Sequence, residues 1–199
     1  MYSLSDQIME YAETSPEGTP LCPNNFLHLG SRAAIYQALS RLTRQDKLMR
    51  VYQGVYMRTI KTRFGIRPPD FNKAIEFLSE LWGETIVPSG GGAANFLGLT
   101  DQVPMRMIYL TSGPSRRLRF GALSVDLRHA PRWQLVAPNR PAGTLIRALT
   151  FLSRQETGEV LNKVMPQLSE TDFAELLAVR RTLPVWIAEP VSTFVNHGG

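Results

Sequence analysis

The sequence predicts an α+β fold: short helices closed by a basic β-ribbon at the N-terminus, then a mixed α/β domain that ends in helices. Three observations predict it. Apolar residues recur at helical spacing in short runs before Lys47. The pattern then switches to alternation over residues 48–58, around Gln53-Gly54. Beyond Asp70 helical and strand-like runs are mixed, and after Pro141 only helical runs follow.

Residues 3–14 suit a first helix, with Ser3 or Ser5 as cap and Leu4, Ile8, Met9 and Ala12 on one side. Ser15-Pro-Glu-Gly-Thr-Pro20 is a turn-rich break. Residues 23–29 suit a short second helix with Phe26 and Leu27 inward, ended by Gly30. Ser31 then caps a third helix over 31–46, whose apolar side is Ile35, Ala38, Leu39 and Leu42. Its other side presents Gln37, Ser40, Arg41 and Arg44, with Arg32 and Tyr36 at the margins. In the ribbon Met49, Val51, Val55 and Met57 alternate with Arg50, Tyr52, Tyr56 and Arg58. Three short helices followed at once by a basic Gly-turn ribbon is the layout of a winged helix-turn-helix. Thr59–Asp70 has the character of a linker, ending in Pro68-Pro69.

Asp70 caps a predicted helix to about Trp82, with Phe71, Ala74, Ile75, Leu78 and Leu81 apolar. Thr85–Val87 is a short strand, and Ser89–Leu97 a Gly-rich turn followed by a short helix. Met105–Thr111 is a strand; 117–121 and 123–129 form a hairpin about Gly121. Helices follow over roughly 142–153, 156–165, 169–179 and 183–196. The predicted domains are thus 1–62, a linker at 63–69, and 70–199.

Charge is clustered rather than large. The formal net charge is +5, but residues 1–31 hold no Lys or Arg against Asp6, Glu10, Glu13 and Glu17. Residues 32–67 reverse this: Arg32, Arg41, Arg44, Lys47, Arg50, Arg58, Lys61, Arg63 and Arg67 stand against Asp46 alone. A second block, Arg106–Arg132, holds Arg116, Arg117, Arg119 and Arg128 around Asp126. Such clustering is the electrostatic footprint of phosphate binding. Arg and Gln on the exposed side of the third helix are the side chains that pair bidentately with guanine and adenine edges.

Other function classes find little support. The single Cys22 excludes an internal disulfide and fits a reducing cytoplasm. Met-Tyr-Ser-Leu-Ser-Asp lacks the basic start of a signal peptide, and no apolar stretch approaches the ~20 residues of a membrane span. Ser89-Gly90-Gly91-Gly92 is followed by Ala93-Ala94, not the Lys-Ser or Lys-Thr of a phosphate loop, so a close-packed turn is expected there. His28, His129 and His197 are too far apart to form a zinc-ligand pattern. Glu76, Glu80 and Asp126 lack the Lys element of a metal nuclease. No catalytic residue, metal or cofactor is expected. Two rival readings are kept: a DNA-targeted nuclease, and a ligand-sensing transcription regulator with a pocket under Gly90–Asn95.

Taken together, the helix Ser31–Lys47, the ribbon Leu48–Tyr56, the block Pro88–Leu99, the strand Arg106–Thr111 and the basic ribbon Arg116–Arg128 resemble the AbiEi-type antitoxins of bacterial type IV toxin–antitoxin systems. The likeness is to the branch of unknown function with a winged-helix N-terminus. It implies a repressor that binds inverted repeats in the promoter DNA of its own operon. It also implies neutralisation of a nucleotidyltransferase-type toxin without a stable complex, through the C-terminal domain. The recognition-helix positions it implies are Arg32, Tyr36, Gln37, Ser40, Arg41 and Arg44; the wing positions are Arg50, Gln53 and Arg58.

Overall fold

A computed structural model describes residues 3–101, 106–152 and 154–197. The expected strand start at Met105, the helix end at Ser153 and the side chain of His197 lie outside the described residues. The fold is α+β. Contacts divide the chain into two compact units, Met1–Glu84 with Arg117–Val125, and Thr85–Arg116 with Asp126–Gly199.

The first unit opens with α1 (Leu4–Thr14). Ser3 Oγ accepts from the Asp6 N–H and Asp6 Oδ2 accepts from the Ser3 N–H, so each satisfies a donor the helix end leaves open. The second helix is a single 3-10 turn, Pro23–Phe26. One turn has room for one inward residue: Phe26 is buried, whereas Leu27, expected inside, is exposed. Ser31 accepts from the Ala34 N–H and starts α2 (Arg32–Arg44). Ile35, Ala38, Leu39 and Leu42 are buried with Ile8, Ala12, Leu21 and Phe26 in one core. Each fully buried Ile, Leu or Phe in it contributes about 1.5–3 kcal/mol by leaving water.

The ribbon is β1 (Leu48–Tyr52) paired antiparallel with β2 (Val55–Arg58). Gly54, at φ +71°, makes the turn. Simple alternation fails here for a local reason. The register shifts between Arg50 and Tyr52, and Leu21 bridges β2 through a pair of backbone hydrogen bonds with Tyr56. Tyr56, expected on the outer side, is therefore buried in the core. Helix, 3-10 turn, helix and ribbon on one core is a winged helix-turn-helix.

Residues 59–70 are more structured than a linker. Strands β3 (Ile60–Thr62) and β4 (Gly65–Arg67) form a second small ribbon. Asp70 accepts from the Lys73 N–H and starts α3 (Phe71–Trp82). Of its apolar positions Leu81 is exposed, and at the helix end Trp82 packs edge-on against Tyr52, 5.9 Å between centroids. Phe71 meets Phe120 in the same way at 5.3 Å. By contacts, α3 and the 117–125 tip belong with the winged helix, whereas the sequence suggested a boundary at 63–69.

The second unit begins with β5 (Ile86–Pro88) and α4 (Gly90–Phe96). After β6 (Met107–Thr111), strands β7 (Arg116–Phe120) and β8 (Leu123–His129) form the expected hairpin. The sheet order is β5-β6-β8-β7. Helices α5 (Pro141–Phe151), α6 (Thr157–Val164), α7 (Glu170–Val179) and α8 (Val185–His197) complete the chain. Leu145, Ile146 and Leu149 of α5, Leu161 and Val164 of α6, Leu176 of α7, and Ile187 and Val191 of α8 share a core.

Candidate nucleic-acid interface

Burial of one side of α2 fixes what the other side presents. With Ile35, Ala38, Leu39 and Leu42 locked in the core, Tyr36, Gln37, Ser40, Arg41 and Arg44 line one shallow open surface. Arg32 adds to its N-terminal end, its guanidinium over the Tyr36 ring at 5.7 Å. Arg41 and Arg44 sit in the last helical turn, where the helix dipole favours cations. The structure thus brings together all six helix positions singled out in the sequence.

The wing is fixed beside this helix by its base. The Lys47 N–H bonds to the Leu42 carbonyl, and the Thr59 N–H to the Lys47 carbonyl at 3.1 Å. Asp46 adopts φ +56° at the tight corner between helix and ribbon. Arg50 and Gln53 are exposed. Arg58 differs: it lies opposite Leu48, which is buried. It is half-buried, with an Nε that has no hydrogen-bond partner.

The second basic block is split. Arg117 and Arg119 are exposed and belong to the first unit; Arg116 and Arg128 belong to the second. Leu118 and Phe120 are buried, so β7 does have one packed and one charged side. Arg116 shares the packed side by parity and is half-buried. Arg128 is exposed on β8.

A family model described as a family of unknown function, DUF6088, matches residues 7–175. The chain belongs to the DUF6088 family. No curated protein matches it. In this DUF6088 chain the matched stretch runs from α1 into α7 and so contains both α2 and the wing.

Other candidate sites carry less. The glycine triplet is not a turn before a helix; it is the first turn of α4 itself. A Cβ on Gly90 would stand 2.6 Å from the Arg147 carbonyl oxygen, and one on Gly91 3.3 Å from the Phe151 ring. These glycines let α4 approach α5 closely, which is the packing role expected of them without the turn. Among the described residues no group of three or more His, Cys, Asp or Glu is placed to hold a metal ion. None of the described helices is long and apolar enough to cross a membrane. Burial pushes the Cys22 thiol up, which lowers its thiolate fraction and its reactivity.

Two features escaped the sequence reading. Arg147 of α5 is buried at 1% exposure, its Nη2 bonded to Thr144 and its Nε and Nη1 unpartnered. No local signal separates it from an exposed helix arginine. The β3–β4 ribbon did have a signal: Ile60-Lys-Thr-Arg-Phe-Gly-Ile-Arg67 is a strand–turn–strand pattern about Gly65.

Proposed function

We propose that this protein is a DNA-binding autorepressor and the antitoxin of a type IV toxin–antitoxin system. The observation that carries the DNA-binding half is the surface of Tyr36, Gln37, Ser40, Arg41 and Arg44 on α2, backed by a rigid core and flanked by the wing. In this reading α2 lies in the major groove, where Gln37, Arg41 and Arg44 meet base edges. Arg50 and Gln53 of the wing meet the phosphate backbone, which sets register rather than sequence. Inverted repeats in the promoter require two copies on the DNA, as a dimer or as cooperating monomers. The antitoxin half rests on the family likeness in the sequence: the second unit would oppose a nucleotidyltransferase-type toxin without a lasting complex.

The test is an anisotropy titration against the chain's own upstream DNA and a scrambled duplex, at low and moderate salt. Arg41→Ala/Arg44→Ala is run alongside. Tight binding to the upstream DNA that the double variant loses supports the reading. Weak binding to both duplexes, unchanged in the variant, rejects α2 as the recognition helix. For the second half, co-expression with a nucleotidyltransferase-type toxin should rescue growth, and loss of rescue with DNA binding kept, on deleting residues 154–199, which lie wholly in the second unit, would assign it to that unit.

A further inference from the structure

We infer that the tip of the β3–β4 ribbon, Arg63-Phe64, is a wedge that enters the DNA minor groove beside the wing and bends the duplex. The inference rests on the DNA-binding reading above and adds a contact mode that α2 and the wing do not supply.

Phe64 is 86% exposed and Ile66 53% exposed, on a ribbon of only three-residue strands. A ring this exposed buries little area and so contributes little to folding this unit. Its neighbours are cationic: the Arg63 guanidinium lies over the Phe64 ring at 4.5 Å, and Lys61 is exposed beside Ile66, its cross-strand partner. From Lys47 to Pro69 the chain contains no acidic residue. Charge of this sign repels a second copy of the same tip and attracts a polyanion. An apolar side chain presented among arginines is the composition of minor-groove wedges, which unstack a base step and turn the duplex toward the major groove.

The tip is also held in place. Thr62 Oγ1 accepts from the Phe64 N–H at 3.2 Å and donates to the Gly65 carbonyl at 2.9 Å. Gly65, at φ +116°, closes the turn. At the foot, Arg67 is bonded to Glu17 at 2.8 Å, in the break after α1. Only Thr59 separates β2 from β3. Strands of this length rise ~10 Å, which extends the footprint past the wing by roughly three base-pair steps. A loose loop would lose the stacking gain to ordering entropy; a braced one keeps it.

The experiment uses the full chain and its own upstream duplex, labelled at both ends for energy transfer, with anisotropy read in parallel. Wild type should bind and raise transfer, the sign of bending. Phe64→Ala should bind roughly tenfold more weakly, leave the duplex straight and keep the wild-type salt slope. Phe64→Leu, still a wedge, should keep most of the bend. Arg63→Ala should lower the salt slope by about one. Because Phe64 is exposed, the circular dichroism of these variants should match wild type. If Phe64→Ala binds and bends DNA as wild type does while Arg41→Ala/Arg44→Ala loses binding, the wedge is rejected and the repressor reading stands. A straight wild-type complex rejects it too. Wild type that binds no duplex overturns both.

Discussion

Arg67 Nη1 lies 2.8 Å from Glu17 Oε1, and the same oxygen accepts the Asp70 N–H at 2.7 Å. One carboxylate thus ties the break after α1 to the foot of the second ribbon and to the start of α3. The hydrogen bond from Arg67, helped by the Asp70 N–H and opposed by partial burial, holds the Glu17 carboxyl below its ordinary value of 4.5.

Glu17 therefore stabilises the fold at and above its unfolded value, and the contribution fades as pH falls through the lower folded value. Glu17→Gln should cost under about 1 kcal/mol at neutral pH, as partly exposed pairs do. The wild-type advantage should begin to fade as pH falls below about 4.5 and vanish once it is below the lower folded value. Thermal melts of both proteins across that range measure it. A constant difference at all pH values would mean that the ion pair contributes nothing.

Helix and wing should fail differently on DNA. Arg41→Ala should lose about 1–3 kcal/mol against the preferred sequence and little against others. Arg50→Ala should weaken binding to every duplex alike and lower the salt slope by about one. Titrations against specific and scrambled duplexes at several salt concentrations separate the two. Identical profiles would deny α2 any reading of bases.

Two glycines of α4 should respond oppositely to the same change. Gly→Ala inside a helix is worth about 1 kcal/mol in its favour. At Gly92 the new methyl would meet only the Pro88 side chain at 3.4 Å, so Gly92→Ala should be neutral or stabilising. At Gly90 it would press on the Arg147 carbonyl at 2.6 Å. Backbone cannot step aside cheaply, so Gly90→Ala should lose about 1–3 kcal/mol net. Urea denaturation of both variants decides the point.

Arg147 should be replaceable at a gain. Burial alone pushes its guanidinium down to about 10, so it stays charged at neutral pH with two unpartnered donors. A methionine fills similar space without that charge, and such exchanges gain about 1–4 kcal/mol. Arg147→Met should raise Tm by roughly 2–4 °C per kcal/mol for a chain of this size. A lower Tm would show that the guanidinium has a stabilising partner in solution.

Much of the fold was legible because its signals are local. Ser31 before Ile35, Ala38, Leu39 and Leu42 marks α2 with no tertiary knowledge. Asp70 marks α3, and Gly121 the β7–β8 turn, for the same reason. The exposed positions of α2 followed automatically, since burying one side of a helix exposes the other. Leu27 and Tyr56 stand otherwise than their spacing implies because their side depends on where an element stops or slips: a 3-10 turn that ends at Phe26, and a register shift after Arg50.

By itself, then, the sequence determined the α+β class, the order of the elements, and the polar row of α2 beside a basic ribbon. These rest on periodicity, capping and turn chemistry, which act over a few residues. Only the tertiary structure decided that Gly90 and Gly91 are a helix contact, that Arg147 is buried, and that Arg58 and Arg116 lean toward packed sides while Phe64 stands in water. Each of those depends on which surface arrives from a distant part of the chain, and no spacing along the sequence encodes that arrival.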